Sequence, residues 1–133
     1  MLRTDIETIN GLHAEALAAA KAGNLARIMS LWAEDGVRMP PNEPAAIGKT
    51  SVEAQYRAMF DEYTADLRVQ SEETEVFGDW AHSRWTCSGV FAPKVGGEAI
   101  RGEFKCVDIF RKQRDGTWKM ALHIWNSNEP LQA

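Results

Sequence analysis

The chain is poor in the residues that staple or anchor small proteins. It has two cysteines, Cys87 and Cys106, and no CxxC pair, which leaves neither a disulfide framework nor a zinc ribbon. No apolar run approaches the roughly 18–20 residues of a membrane span. The first residues, MLRTDIETING, lack the apolar core of a secretory signal. Basic residues do not dominate: 15 Lys+Arg face 19 Asp+Glu, a net charge of −4, so no nucleic-acid partner is expected. A phosphate-cradling glycine loop, a G-x-S-x-G elbow and an HExxH pair are all missing. What is present is 133 residues with 44% hydrophobic content. A chain of that size buries about two-thirds of its unfolded surface without staples. The expectation is one cytoplasmic domain over residues 1–133, with no membrane segment.

Thr4-x-x-Glu7 is a capping box. Behind it Ile6, Ile9, His13, Ala16, Leu17 and Ala20 recur at helical spacing up to Gly23, a residue suited to a helix end. Asn24 can cap a second short helix with Leu25, Ile28, Met29 and Trp32 on one face. Asp35-Gly36 turns into a short strand over residues 37–39, stopped by Pro40-Pro41. Thr50-x-x-Glu53 reads as a second capping box before a helix with Val52, Tyr56, Met59, Phe60 and Tyr63 on its apolar face. Beyond Tyr63 the period falls to two. Turn signals at Gly78-Asp79, Gly96-Gly97 and Asp115-Gly116 divide the rest into four strands, the last three over residues 80–93, 98–111 and 118–125. Helices first and an antiparallel meander after them imply an α+β domain.

The turns also fix which residues share a face. If Gly96-Gly97 is a two-residue hairpin loop, Cys87 opposes Cys106 and Trp85 opposes Asp108. If Asp115-Gly116 is one too, Asp108 opposes His123 and Cys106 opposes Trp125; a three-residue loop would instead oppose Asp108 to Leu122. In the first register one face reads Trp85, Cys87, Phe104, Cys106, Asp108 and Phe110, continued by Ala121, His123 and Trp125. The other face carries Val107, Ile109, Trp118, Met120, Leu122 and Ile124 among polar residues. Two apolar faces exceed what three helices can cover, so a second copy of the chain is expected on the outer one.

The segments AAAKAGNLARIMSLWAEDGVRMPP, IGKTSVEAQYRAMF and CVDIFRKQRDGTWKMALHIWNSNEP, in this order, resemble the nuclear-transport-factor-2-like superfamily, in its ketosteroid-isomerase-like and SnoaL-like branch. The resemblance implies a cone of three N-terminal helices packed on a curved, mainly antiparallel sheet, with a pocket between and a homodimer through the outer sheet face. It places the family's oxyanion aspartate on Asp108, its helix-1 tyrosine on Ala16 and its catalytic base on Pro40, so steroid isomerisation is not expected. The family's pocket positions on the last strand fall on Ala121, His123 and Trp125.

Asp108 among apolar neighbours needs a partner. His123 supplies one that exchanges protons near neutrality, or equally one that satisfies a structural polar layer. His13 lies on the apolar face of the first helix and reaches toward the same space, as an auxiliary group or as a satisfied core residue. The pocket walls expected beside these three are Trp125, Cys106, Trp85 and Phe104 from the sheet, with Trp32, Met39, Tyr56 and Phe60 from the first half. No spacing requires a metal, and no cofactor motif is present. The reading is a small-molecule-binding protein. It is either a cofactor-independent isomerase, cyclase or dehydratase acting on a small apolar carbonyl compound, or a non-catalytic binding or dimerisation module of the same fold.

Overall fold

The computed structural model describes residues 4–130. Helix α1 (Asp5–Ala22) begins where the Thr4 hydroxyl accepts the Glu7 N–H and ends at Gly23, whose left-handed φ of 63° returns its N–H to the Ala19 and Ala20 carbonyls. Asn24 caps α2 (Leu25–Met29) through the Arg27 N–H. Strands β1 (Trp32–Met39) and β2 (Ala46–Ile47) precede α3 (Lys49–Glu62). Then β3 (Tyr63–Phe77), β4 (Trp80–Pro93), β5 (Ile100–Lys112) and β6 (Trp118–Ser127) follow as a meander.

The strands form one six-stranded sheet in the order β2-β1-β6-β5-β4-β3. All its pairs are antiparallel except β1 with β6. The architecture is the expected α+β cone, with the helices packed inside a curved sheet. Its main core joins Ile9 and Ala20 of α1, Trp32 of β1, Val52, Tyr56 and Phe60 of α3, and Phe110, Trp118 and Met120 of the sheet.

Four local expectations need correction. Trp32 does not extend α2 but opens β1, and it is fully buried. Thr50 is not a cap: α3 starts at Lys49 behind Gly48 and has no side-chain cap. In the β4–β5 hairpin, Cys87 opposes Phe104 and Trp85 opposes Cys106, a two-residue offset from the expected pairing. The connection over residues 94–99 is longer than a two-residue turn and bends through a Gly96 N–H to Pro93 carbonyl bond. An even offset keeps every side chain on its expected face, because the side-chain period is two.

The β5–β6 hairpin uses both registers weighed above. Asp108 pairs with His123 and Ile109 with Leu122, but Phe110 pairs with Met120 and Lys112 with Trp118. Ala121 is the extra residue of a β-bulge. The bulge reverses the facing of the strand toward the turn, so Trp118 and Met120 are buried in the core rather than on the outer face. His123 and Trp125, beyond the bulge, face inward as well.

Strands β3 and β4 approach closely at Gly89. A Cβ there would stand 2.0 Å from the Asp66 carbonyl oxygen, an atom of the partner backbone that cannot swing aside. Gly89→Ala should therefore lose about 1–3 kcal/mol of stability in urea unfolding, the usual scale of an overpacked site; a variant as stable as the parent would overturn this.

Candidate functional site

The sheet register sets polar residues from successive strands in one row on the concave face. Arg38 of β1 pairs with His123 of β6, His123 with Asp108 of β5, and Asp108 with Ser83 of β4. Ser83 in turn pairs with Thr74 of β3, whose hydroxyl lies 3.0 Å from the Ser83 hydroxyl and donates to Asn10 of α1. Neighbouring strands lie about 4.8 Å apart, so the row crosses the cone as a continuous polar band.

Asp108 is the centre of this band and is 0% exposed. Its Oδ2 accepts the indole N–H of Trp85 at 3.0 Å, and its Oδ1 bonds Nδ1 of His123. His13 brings Nε2 to 3.6 Å from Oδ2, too far for a hydrogen bond. That nitrogen is buried without a partner, while Nδ1 of His13 lies 3.3 Å from the Ser71 hydroxyl. Burial lowers the pKa of His13 from 6.5 to about 4, with Asp108 opposing and His123 adding to the fall. His13 is thus neutral near pH 7.

The rings are layered. His13 stacks on Trp85 at 4.7 Å between centroids, and His123 stacks on Trp125 at 4.6 Å and on Trp85 at 5.8 Å. Stacking holds both imidazoles in plane and leaves their ring edges as the reactive surface. These groups border a cavity of about 90 Å³. Small residues Ala16 and Ala20 of α1 leave the space open on one side, and Leu67, Phe91 and Phe104 close the other.

Of the residues singled out from sequence, His13, Asp108, His123, Trp85, Trp125, Tyr56 and Phe104 all border this cavity. Trp32 and Phe60 lie behind the wall in the main core, and Met39 is half-buried outside the lining. Cys106 packs behind Trp85 and beside Cys87 in a second cluster. Both thiols are free. A hydrogen bond to Cys87, together with burial, pushes the Cys106 thiol upward and keeps it protonated. Ala121, expected in the lining, is the bulge residue instead.

Sequence reasoning missed Arg38. It is only 6% exposed, with its guanidinium 4.2 Å from the Tyr56 ring centroid and 4.6 Å from that of Trp125. Nη1 donates to Oε1 of Gln55 at 2.8 Å, whereas Nε is buried with no partner. The local pattern pointed the other way: in VRMPP, Arg38 alternates with Val37 and Met39, and a period of two would bury that apolar pair and expose the arginine.

A SnoaL-like domain profile matches residues 13–121. The chain belongs to the SnoaL-like family. No curated protein matches it in sequence. This SnoaL-like chain is similar in structure to a ketosteroid isomerase-like protein from Erwinia carotovora atroseptica, with a TM-score of 0.88 and 23% identity over 97% of this chain and 100% of the other. It is also similar to a candidate dehydratase of the NTF2-like family from Streptomyces avermitilis, with a TM-score of 0.83 and 19% identity over 95% and 98% of the two chains. A Salmonella enterica protein of the nuclear transport factor 2 superfamily superposes with a TM-score of 0.81 at 9% identity, over 95% and 92%. At such identities these likenesses show a shared fold.

Among the described residues, one trio lies close enough to hold a metal ion: Glu73, Glu75 and His82, largely exposed and away from the cavity. No described helix is long and apolar enough to cross a membrane.

Proposed function

We propose that the 133 residues work as one SnoaL-like domain that binds a small, largely apolar carbonyl compound and moves a proton on it without a cofactor. One observation carries this reading: a fully buried Asp108 holds His123 by Nδ1, leaving Nε2 as the free nitrogen of a ring that borders the cavity. A carboxylate that accepts Nδ1–H fixes the tautomer in which Nε2 carries a lone pair and stabilises the imidazolium formed later. Nε2 then removes a proton α to the carbonyl, and the electron pair of the C–H bond moves onto oxygen as an enolate. Returning the proton to a different carbon gives isomerisation, expelling a β-hydroxyl gives dehydration, and attack on a second carbonyl gives cyclisation. His13, neutral and stacked on Trp85, is auxiliary and shapes the cavity wall. The isomerase-like and dehydratase descriptions of the structural relatives support chemistry of this class.

The rival reading, a binding module without turnover, is favoured by Ala16 and Pro40 at positions where the resemblance puts a tyrosine and a base. The two part on one experiment. In D2O, the protein should catalyse loss of the α-proton signals of small ketones such as phenylacetone, followed by NMR, and His123→Ala should abolish it. Ketones that shift cavity resonances without exchanging would establish the binding module.

The outer face supports a homodimer. Val107 pairs with Ile124 and Ile109 with Leu122 across β5 and β6, and Val107 and Ile124 are 42% and 40% exposed. Light scattering at micromolar concentration should give twice the chain mass. Val107→Glu should weaken the dimer by at least about 100-fold, since like charges then meet across the two-fold axis. A monomer of the parent chain at that concentration would sink the assignment. Two reduced buried thiols fit a cytoplasmic setting.

A further inference from the structure

Arg38 is a buried cation without a counter-ion. Among the described residues no carboxylate lies within ion-pair distance of it, and Asp108, two strands away, is occupied by Trp85 and His123. Burying a guanidinium this deeply is costly unless its donors are met. The Tyr56 and Trp125 rings pack against its guanidinium and Gln55 takes Nη1, which offsets part of that cost. Nε–H remains without an acceptor. With Nη1 held by Gln55, the donors left for a ligand lie on the Nε–Nη2 side. The Nε–Nη2 edge is the fork that grips a carboxylate with two parallel hydrogen bonds.

Its position adds a direction. Arg38, Met59 and Trp125 border both the inner cavity and a groove on the outside, so Arg38 stands at the mouth between them. Glu43 and Glu62 line the groove side. These carboxylates disfavour an anion there, while on the cavity side the carboxylate of the lining, Asp108, is two strands away and bonded to Trp85 and His123.

We infer that Arg38 is the anchor for a carboxylate on the ligand, so the compound bound is a small apolar acid. Arg38 and His123 are paired neighbours across β1 and β6, about 4.8 Å apart in backbone, and a single small oxo-acid or enoic acid spans from the guanidinium to Nε2 of His123. The inference rests on reading the cavity as a ligand site but not on turnover. The buried Nε also explains why this cation survives in an apolar wall: the ligand completes its hydrogen bonding.

Two probes of the same shape test it, trans-cinnamate and trans-cinnamamide, with dissociation constants read from tryptophan fluorescence and from the Trp125 indole N–H resonance. The parent protein should bind the acid roughly 10- to 100-fold more tightly than the amide, the scale of hydrogen bonds to a charged group. Arg38→Met should erase that ratio, the acid losing far more affinity than the amide. Arg38→Lys, which keeps the charge and loses the fork, should fall between them. The acid-to-amide ratio of the parent decides the matter even if Arg38→Met fails to fold. Equal binding of acid and amide would overturn the anchor and leave the cavity reading standing. Binding of neither at millimolar concentration would overturn both.

Discussion

Asp108→Asn should lower catalysed α-proton exchange by a factor on the order of 10³–10⁴, the scale seen when the carboxylate that orients a catalytic histidine becomes an amide. The side chain keeps its shape, so the effect comes from donors and acceptors. Trp85 only donates, and its N–H points at Oδ2, so the amide oxygen of the variant must take that place. The reverse orientation sets an NH₂ against an N–H. The amide NH₂ then faces Nδ1 of His123 and turns it into an acceptor, which moves the ring proton to Nε2, the atom that has to act as base. Ring ¹⁵N shifts should report Nδ1–H in the parent and Nε2–H in the variant, whatever the substrate. Stability should change by no more than about 1–2 kcal/mol, since one hydrogen-bond geometry is exchanged for another. If the tautomer and the exchange rate both stay as in the parent, the pair is a structural polar layer and the catalytic reading fails.

The second large effect is on stability against pH. His13 is 1% exposed and its pKa is lowered from 6.5 to about 4 by burial, so it resists protonation in the folded state. Between these values the unfolded chain binds a proton that the folded chain does not, and stability rises with pH across the window. The contribution is fully present above pH 6.5, falls as the pH drops, and stops changing below about 4. Its size is about 3 kcal/mol, with a slope approaching 1.4 kcal/mol per pH unit. Asp108 and His123 face the same ring with opposite influence, Asp108 favouring the proton and His123 opposing it. His13→Gln carries no proton at any pH and should flatten this part of the profile. The difference between parent and variant in urea unfolding at pH 4.5, 5.5 and 6.5 isolates the His13 share from other groups. Parallel profiles would show that His13 is not the group that titrates.

Where the sequence was legible, the reason is local. The capping box at Thr4 and the glycine at position 23 bound α1 through hydrogen bonds within a few residues. The alternation along β4 and β5 put Trp85, Cys87, Phe104, Cys106, Asp108 and Phe110 on the inner face, and an even slip of the hairpin left that intact. Turn spacing left two registers for the last hairpin, and the one that sets Asp108 beside His123 is present at that pair. The misses have a common cause in contacts between distant parts of the chain. Thr50 has the right spacing for a cap, yet the cap position falls two residues earlier, on Gly48. Trp32 has helical spacing from Ile28, yet it pairs with Met120 in a parallel bridge. Trp118 and Met120 alternate with the wrong face because a single bulged residue cannot be read from period two.

By itself the sequence determined the order of elements apart from the short β2, the α+β class and an apolar sheet face with one acid and one histidine set into it. These follow from backbone periodicity and turn chemistry, which act over a few residues. Only the tertiary structure decided that the bulge at Ala121 turns both halves of β6 inward, that His13 is buried neutral, and that Arg38 packs against Tyr56 and Trp125 with an unmet donor. Burial of a charge depends on what the rest of the chain brings around it, and here that surrounding comes from α3 and β6, far from Arg38 in sequence.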